Sequence, residues 1–170
     1  MKIRKDNLII TNAVASDFME IQKIYSYYVK NTTISLEEES PSLEEIMIRW
    51  KNSVDKSLPY LVAKIDDKVA GYAYAFPYRT RSAYRFTVEE SVYVSKDYQG
   101  LGIGYLLLSE LIEECKKKGY RQMLAVIAGN DNLASIKFHQ KLGFKQSGIL
   151  EKFGFKFDKW IDTLLMQKEL

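Results

Sequence analysis

Gln99-Gly100-Leu101-Gly102-Ile103-Gly104 is the stretch that decides how this chain folds and what it holds. A strand-like run, Glu90-Ser91-Val92-Tyr93-Val94, precedes it, and a helix-like run begins near Tyr105. Glycines at alternate positions allow a tight turn and let the backbone come close to a ligand. The helix that follows has first-turn N–H groups with no internal partner, and its dipole concentrates positive charge there. Strand, glycine turn and helix start together form a phosphate or pyrophosphate site.

The identity of that phosphate narrows by elimination. A Walker loop ends in Gly-Lys-Ser/Thr, whereas Gly104 is followed by Tyr105. A dinucleotide fingerprint needs G-x-G-x-x-G and an acidic residue after the next strand. The spacing here is G-x-G-x-G, and Leu124-Ala125-Val126-Ile127-Ala128 offers no acid. What remains is Gln-x-x-Gly-x-Gly, formed by Gln99, Gly102 and Gly104. It resembles the pyrophosphate loop of the GCN5-related N-acetyltransferases, the GNAT superfamily. A plain helix-capping turn is the competing reading of the same residues.

Composition sets the outer bounds. The chain has 170 residues, 46% hydrophobic and 28% charged, which suits a single domain over residues 1–170 with its own core. Its net charge of +3 is scattered and gives no nucleic-acid footprint. The run Lys116-Lys117-Lys118 falls at a helix end, where cations complement the dipole. One cysteine, Cys115, excludes an internal disulfide and sits on an apolar stripe, so a core role is expected. With one histidine and no cysteine cluster, no metal site is expected. Met1-Lys2-Ile3-Arg4-Lys5 leads into no apolar segment, so no signal peptide is expected, and no run is long enough to span a membrane. A cytoplasmic setting follows.

Periodicity places the elements. Leu8-Ile9-Ile10 reads as a strand, and Ser16 as the cap of a helix with Ile21, Ile24, Tyr25 and Tyr28 on one face. Ser42 and Glu45 have capping-box spacing for a second helix carrying Ile46, Ile48 and Trp50. Tyr60 to Ile65 and Val69 to Phe76 form a hairpin about Asp66-Asp67-Lys68. Thr87 to Val94 is a strand, and Leu106 to Cys115 a helix closed by Gly119. Met123 to Ile127 is a strand, Asn132 caps a helix that ends at Gly143, and strands follow from Phe144 and over Trp160 to Met166. This order predicts an α/β (α+β) fold, a mixed sheet with helices on both faces.

The resemblance extends beyond the loop. Arg79-x-Arg81-x-Ala83-Tyr84, Thr87-Val88-Glu89, Val92-Tyr93-Val94-Ser95, Asn132-x-x-Ser135, His139-x-x-Leu142-Gly143, and Lys156 with Trp160-x-Asp162 occur in order. Together they make the chain similar to the phosphinothricin and methionine sulfoximine N-acetyltransferases within the GNAT group. That resemblance implies a mostly antiparallel sheet of about six or seven strands. It implies direct transfer of an acetyl group from acetyl-CoA to the amine of a small amino-acid-like substrate within a ternary complex. It also implies a homodimer. A protein or peptide N-terminus is the alternative acceptor, and a non-catalytic acyl-CoA-binding module the alternative class.

Roles follow the matched positions. An amine with a pKa near ~10.4 must lose a proton before it attacks a thioester, so a carboxylate base is needed. The resemblance puts that base at Glu89, with Glu90 the adjacent alternative. Strand alternation sends Glu90 to the side of Val88, Val92 and Val94, and Glu89 to the side of Thr87, Ser91 and Tyr93. Pairing of these carboxylates with Arg81 or Arg85 is the purely structural alternative. His139 stands where the group carries a histidine able to protonate the departing thiolate. Val92, Tyr93 and Val94 would flank the pantetheine, and Gln99, Gly100, Leu101, Gly102, Ile103 and Gly104 would hold the pyrophosphate. Asn132 and Ser135 would bond the pantetheine or thiolate, although Asn132 also reads as a plain N-cap. Leu36, Arg79, Arg81 and Tyr84 are the matched acceptor contacts. Leu36 falls where the relatives have an aromatic residue.

Overall fold

A computed structural model describes residues 7–129 and 132–170. The Met1–Lys5 segment considered above for a leader therefore lies outside the described residues. The strands are β1 (Leu8–Asn12), β2 (Tyr60–Ile65), β3 (Lys68–Pro77), β4 (Thr87–Val94), β5 (Gln122–Ala128), β6 (Lys145–Lys156) and β7 (Lys159–Glu169). The helices are α1 (Phe18–Asn31), α2 (Leu43–Val54), α3 (Ile103–Lys117) and α4 (Leu133–Lys141). One seven-stranded sheet runs in the order β1-β2-β3-β4-β5-β7-β6. Every pairing is antiparallel except that of β4 with β5.

The period of two along β2 and β3 builds two cores. Leu61, Ala63, Ala73 and Ala75 point to one face, where they meet Leu107, Leu108 and Leu111 of α3. Small alanines there let the α3 leucines seat close to the sheet. Tyr60, Val62 and Tyr72 point to the other face and meet Phe18, Ile21 and Tyr25 of α1. Burying a large apolar side chain in either core contributes roughly 1.5–3 kcal/mol. Cys115 belongs to the α3 core and is fully buried.

Local signals set most element ends. Ser42 and Glu45 form the expected capping box: the Ser42 hydroxyl accepts from the Glu45 N–H at 3.2 Å, and the Glu45 carboxylate accepts from the Ser42 N–H at 2.6 Å. Ser16 does not cap α1. It lies inside a short 3-10 turn, Ala15–Asp17, which Asp17 closes by accepting from the Val14 N–H at 3.0 Å. Asp17 is also ion-paired with Lys64 at 2.6 Å, and an ionised carboxylate is a stronger acceptor than a hydroxyl. Ile48, expected on the buried stripe of α2, is exposed. It stands two residues beyond buried Ile46, about 200° around the helix. Among the described residues, no helix is long and apolar enough to cross a membrane.

Candidate active site

Strands β4 and β5 part midway. They are hydrogen-bonded only where Thr87, Val88 and Glu89 face Gln122, Met123 and Leu124. Beyond that point β4 stays with β3 up to Val94, and β5 stays with β7 up to Ala128. The parting leaves the inner edges of both strands without a strand partner, so backbone amides there can serve a ligand. A cleft occupies the gap, lined by Glu90, Ser91, Val92, Ala128, Ser135 and His139 among others.

The glycine loop sits at the open end of this gap. Gly100 and Gly102 both have φ of 76°, a left-handed conformation that a Cβ would strain, and Gly102 caps α3. Ile103 and Leu101 fasten the loop to the α3 core, Ile103 fully buried and Leu101 partly so. The Gln99 side chain does not reach into the loop. It donates to the Tyr28 hydroxyl at 3.1 Å, which in turn donates to the Val94 carbonyl at 2.6 Å. Gln99 thus ties the loop to α1 and to the end of β4. The loop's anion-binding capacity rests on the free N–H groups at the start of α3.

Glu90 and His139 meet inside the cleft. The Glu90 Oε1 lies 2.9 Å from His139 Nε2, and both side chains are almost wholly buried. His139 Nδ1 lies 2.8 Å from the Ser135 carbonyl oxygen and 3.4 Å from its hydroxyl. The second Glu90 oxygen, Oε2, has no hydrogen-bond partner. Phe144 and Phe138 pack edge-on against the imidazole at 5.2 and 4.8 Å and fix its plane. Neither carboxylate of β4 is paired with Arg81 or Arg85; Arg85 donates to the Ser82 carbonyl and lies over Phe86. Asn132 Oδ1 accepts from the Ser135 N–H at 3.2 Å, so it caps α4 while lining the cleft.

Glu89 points the opposite way, to the α1–α2 side, as the alternation requires. Burial, and secondarily the nearby Glu90 charge, raise its carboxyl from the ordinary 4.5 to about 7, with Arg79 pulling the other way. Arg79, Arg81 and Tyr84 lie on the exposed connection after β3. Arg79 stacks on Tyr78 at 5.2 Å, and Tyr84 packs edge-on against the same ring at 5.5 Å. Leu36 is not in the cleft. It covers Gly154 on β6, where a Cβ would stand 2.7 Å from the Leu36 Cδ1. Its neighbour Ile34 lines the cleft instead.

One residue that shapes the cleft wall carried no role in the sequence reading. Lys156 on β6 is buried and donates to the carbonyls of Val29, Thr32 and Ser35 at 2.6, 2.9 and 2.7 Å. All three ammonium hydrogens are used, and the acceptors cluster at the C-terminal, negative end of α1. Lys156 thereby fixes the segment that presents Ile34 to the cleft. A lysine alternating with aromatics along a strand was the one available signal, because strand alternation turns it inward.

Comparison with known proteins places the chain among characterised relatives. The model of the acetyltransferase (GNAT) family matches residues 21–144. A phosphinothricin N-acetyltransferase from Alcaligenes faecalis is 47% identical over 154 residues, 91% of this chain and 78% of the relative. An L-methionine sulfoximine/L-methionine sulfone acetyltransferase from Pseudomonas aeruginosa is 37% identical over 162 residues, 95% of this chain and 94% of the relative. The crystal structure of a phosphinothricin acetyltransferase from Sinorhizobium meliloti in complex with AcCoA superposes with a TM-score of 0.93 at 42% identity. That match covers 96% of this chain and 89% of the other.

Proposed function

The chain belongs to the GNAT acetyltransferase family and is an N-acetyltransferase, and from that premise we propose that it moves the acetyl group of acetyl-CoA onto the α-amine of a small, polar amino acid. The carrying observation is the parting of β4 from β5 beside a half-buried carboxylate whose pKa lies near 7. The donor fits what the chain offers: an anion site at the start of α3, and a cleft with unpaired strand edges for the amides of a pantetheine arm. Acetyl-CoA supplies the thioester; the chain supplies position and protons.

Glu89, facing the α1–α2 side, takes the proton from the incoming ammonium. A carboxyl near 7 is half ionised at neutral pH, the range in which a base combines availability with strength. The buried Glu90–His139 pair lies on the opposite side of the same strand. The Ser135 hydroxyl, 3.4 Å from Nδ1 and lining the cleft, connects that pair to the departing sulfur. Both imidazole nitrogens are engaged, so His139 acts through these neighbours.

The acceptor class rests on the relatives, named for phosphinothricin and methionine sulfoximine or sulfone, and on Arg79, whose charge acts on Glu89, with Arg81 on the same connection. A cytoplasmic setting is part of this reading, supported by the use of acetyl-CoA as donor. The homodimer is supported by Phe153, Phe155 and Trp160, exposed on the edge hairpin β6–β7 where a second copy would cover them. Release of CoA against a panel of amines tests the reading. Methionine sulfone, methionine sulfoximine and phosphinothricin are expected to outpace N-terminal peptides. Faster acetylation of peptides would replace the small-molecule acceptor with a protein one. CoA bound but never released with any amine would leave only a binding module.

A further inference from the structure

On the α1–α2 side of the sheet, a cavity of about 310 Å³ lies between α2 and strands β2 and β3. Its floor is set by strand pairing. Tyr60 and Tyr74 face each other across β2 and β3, and Tyr72 follows on the same face. The rings are nearly parallel, Tyr60 to Tyr74 at 4.8 Å and 9°, and Tyr60 to Tyr72 at 6.0 Å and 3°. Burial holds the Tyr60 and Tyr72 phenols well above their ordinary range, so they remain donors at any working pH.

The rim comes from α2 and the turn that follows it. Arg49 and Asn52 on α2, and Lys56 two residues past its end, line the cavity. Arg49 is held in place by Glu37 through two contacts, 2.6 and 3.3 Å, and Glu37 accepts from the Tyr25 hydroxyl at 2.9 Å. Guanidinium, ammonium, amide and phenol groups line the space, and no carboxylate does. Such a lining favours a head group rich in acceptor oxygens and rejects a cationic one.

The cavity is one ring away from the cleft. Tyr93 lines the cleft and packs edge-on against Tyr25 at 5.1 Å and over Tyr72 at 5.3 Å. The Tyr74 hydroxyl lies against Ser91, another cleft residue. Phe76 lines the cavity and is the register partner of Glu89. The space therefore adjoins the side of β4 on which Glu89 waits. Its size suits a short side chain better than a peptide, since it falls at the small end of ligand pockets.

We propose that this cavity is the specificity pocket for the acceptor: Arg49, with Lys56 at the mouth, receives an anionic or sulfonyl-type head while the α-amine is presented to Glu89. The inference rests on the amino-acid acceptor proposed above. Under it, Arg79 and Arg81 are left to meet the α-carboxylate, and Arg49 distinguishes one side chain from another.

Steady-state kinetics with methionine sulfone and 2-aminohexanoate, which differ in the polar head, test it. Arg49→Met keeps the apolar stem and removes the charge. It is expected to raise KM for the sulfone about tenfold, the loss typical of a charge-assisted hydrogen bond, with KM for 2-aminohexanoate and acetyl-CoA nearly unchanged. Lys56→Met, at an exposed position that folding does not depend on, should shift the sulfone KM in the same direction by less. A rise shared equally by both amines, or no rise in either variant, overturns the proposal. Wild-type protein that acetylates neither amine overturns the acceptor reading itself, and the pocket assignment with it.

Discussion

Glu90 Oε1 and His139 Nε2 stand 2.9 Å apart, with both side chains almost wholly buried. The Ser135 carbonyl can only accept, so His139 Nδ1 carries a hydrogen, and Nε2 is left facing the carboxylate. The chain contains a single histidine, so its ¹⁵N spectrum reports this residue without assignment. An Nδ1–H signal is expected, and a pyridine-type Nδ1 signal would contradict the arrangement. Glu90→Ala should lower kcat about 100-fold, the usual scale for a positioned proton carrier, with little effect on KM for acetyl-CoA.

Glu89 should govern the pH response. With its carboxyl at about 7, kcat/KM is expected to climb as pH rises through neutrality. Glu89→Gln should remove that inflection and cost about 100-fold at pH 7.5, less at high pH where free amine is abundant. The same shift affects stability. Between the ordinary 4.5 and about 7, folded protein keeps a proton that unfolded protein has released. The contribution is fully present below that window and is lost as pH rises through it. Melting curves of wild type and Glu89→Gln should therefore diverge from pH 5 to pH 8 in favour of the variant. Parallel curves would mean that Glu89 is no more buried than a surface acid.

Gly102 separates folding from binding. At φ 76° an alanine is strained by roughly 1–2 kcal/mol, so Gly102→Ala should lower stability by about that amount. Gly102→Glu adds a carboxylate where an anion is to sit, and calorimetry should find no acetyl-CoA binding to the folded variant. Retained affinity would remove the loop from the donor site.

Cys115 should be inert. Burial drives its thiol up to about 12, and the side chain has no exposed surface. Alkylating reagents are expected to label it only upon unfolding. Rapid labelling of native protein would indicate that α3 opens locally.

What could be read along the chain was whatever has a local cause. The capping box at Ser42, the β2–β3 hairpin, the extent of β4 and the burial of Cys115 all follow from neighbours within a turn or a strand. The assignment of Ser16 failed because the stronger acceptor, Asp17, is held by Lys64, a partner far along the chain. The chemistry was less legible for the same reason. Alternation put Glu89 and Glu90 on opposite faces, yet nothing near Glu90 in sequence announces His139, 49 residues on. Tyr60, Tyr72 and Tyr74 look like ordinary strand aromatics until the register stacks them. Arg49 looks like a solvated helix residue until Glu37 pins it over them.

Lys156 imposes an order on assembly. The glycine loop and α3 are complete by Lys117, whereas the carbonyls of Val29, Thr32 and Ser35 wait for a cation 121 to 127 residues downstream. Closing contacts over such separations is slow relative to forming a helix and its neighbouring strand. On refolding from denaturant, acetyl-CoA binding should return before transfer to an amine does. Lys156→Met should widen that delay, and simultaneous recovery would argue against the sequence of events. A chain arrested before that contact closes would leave the turn after α1 without its cation and Ile34 without its anchor at the cleft.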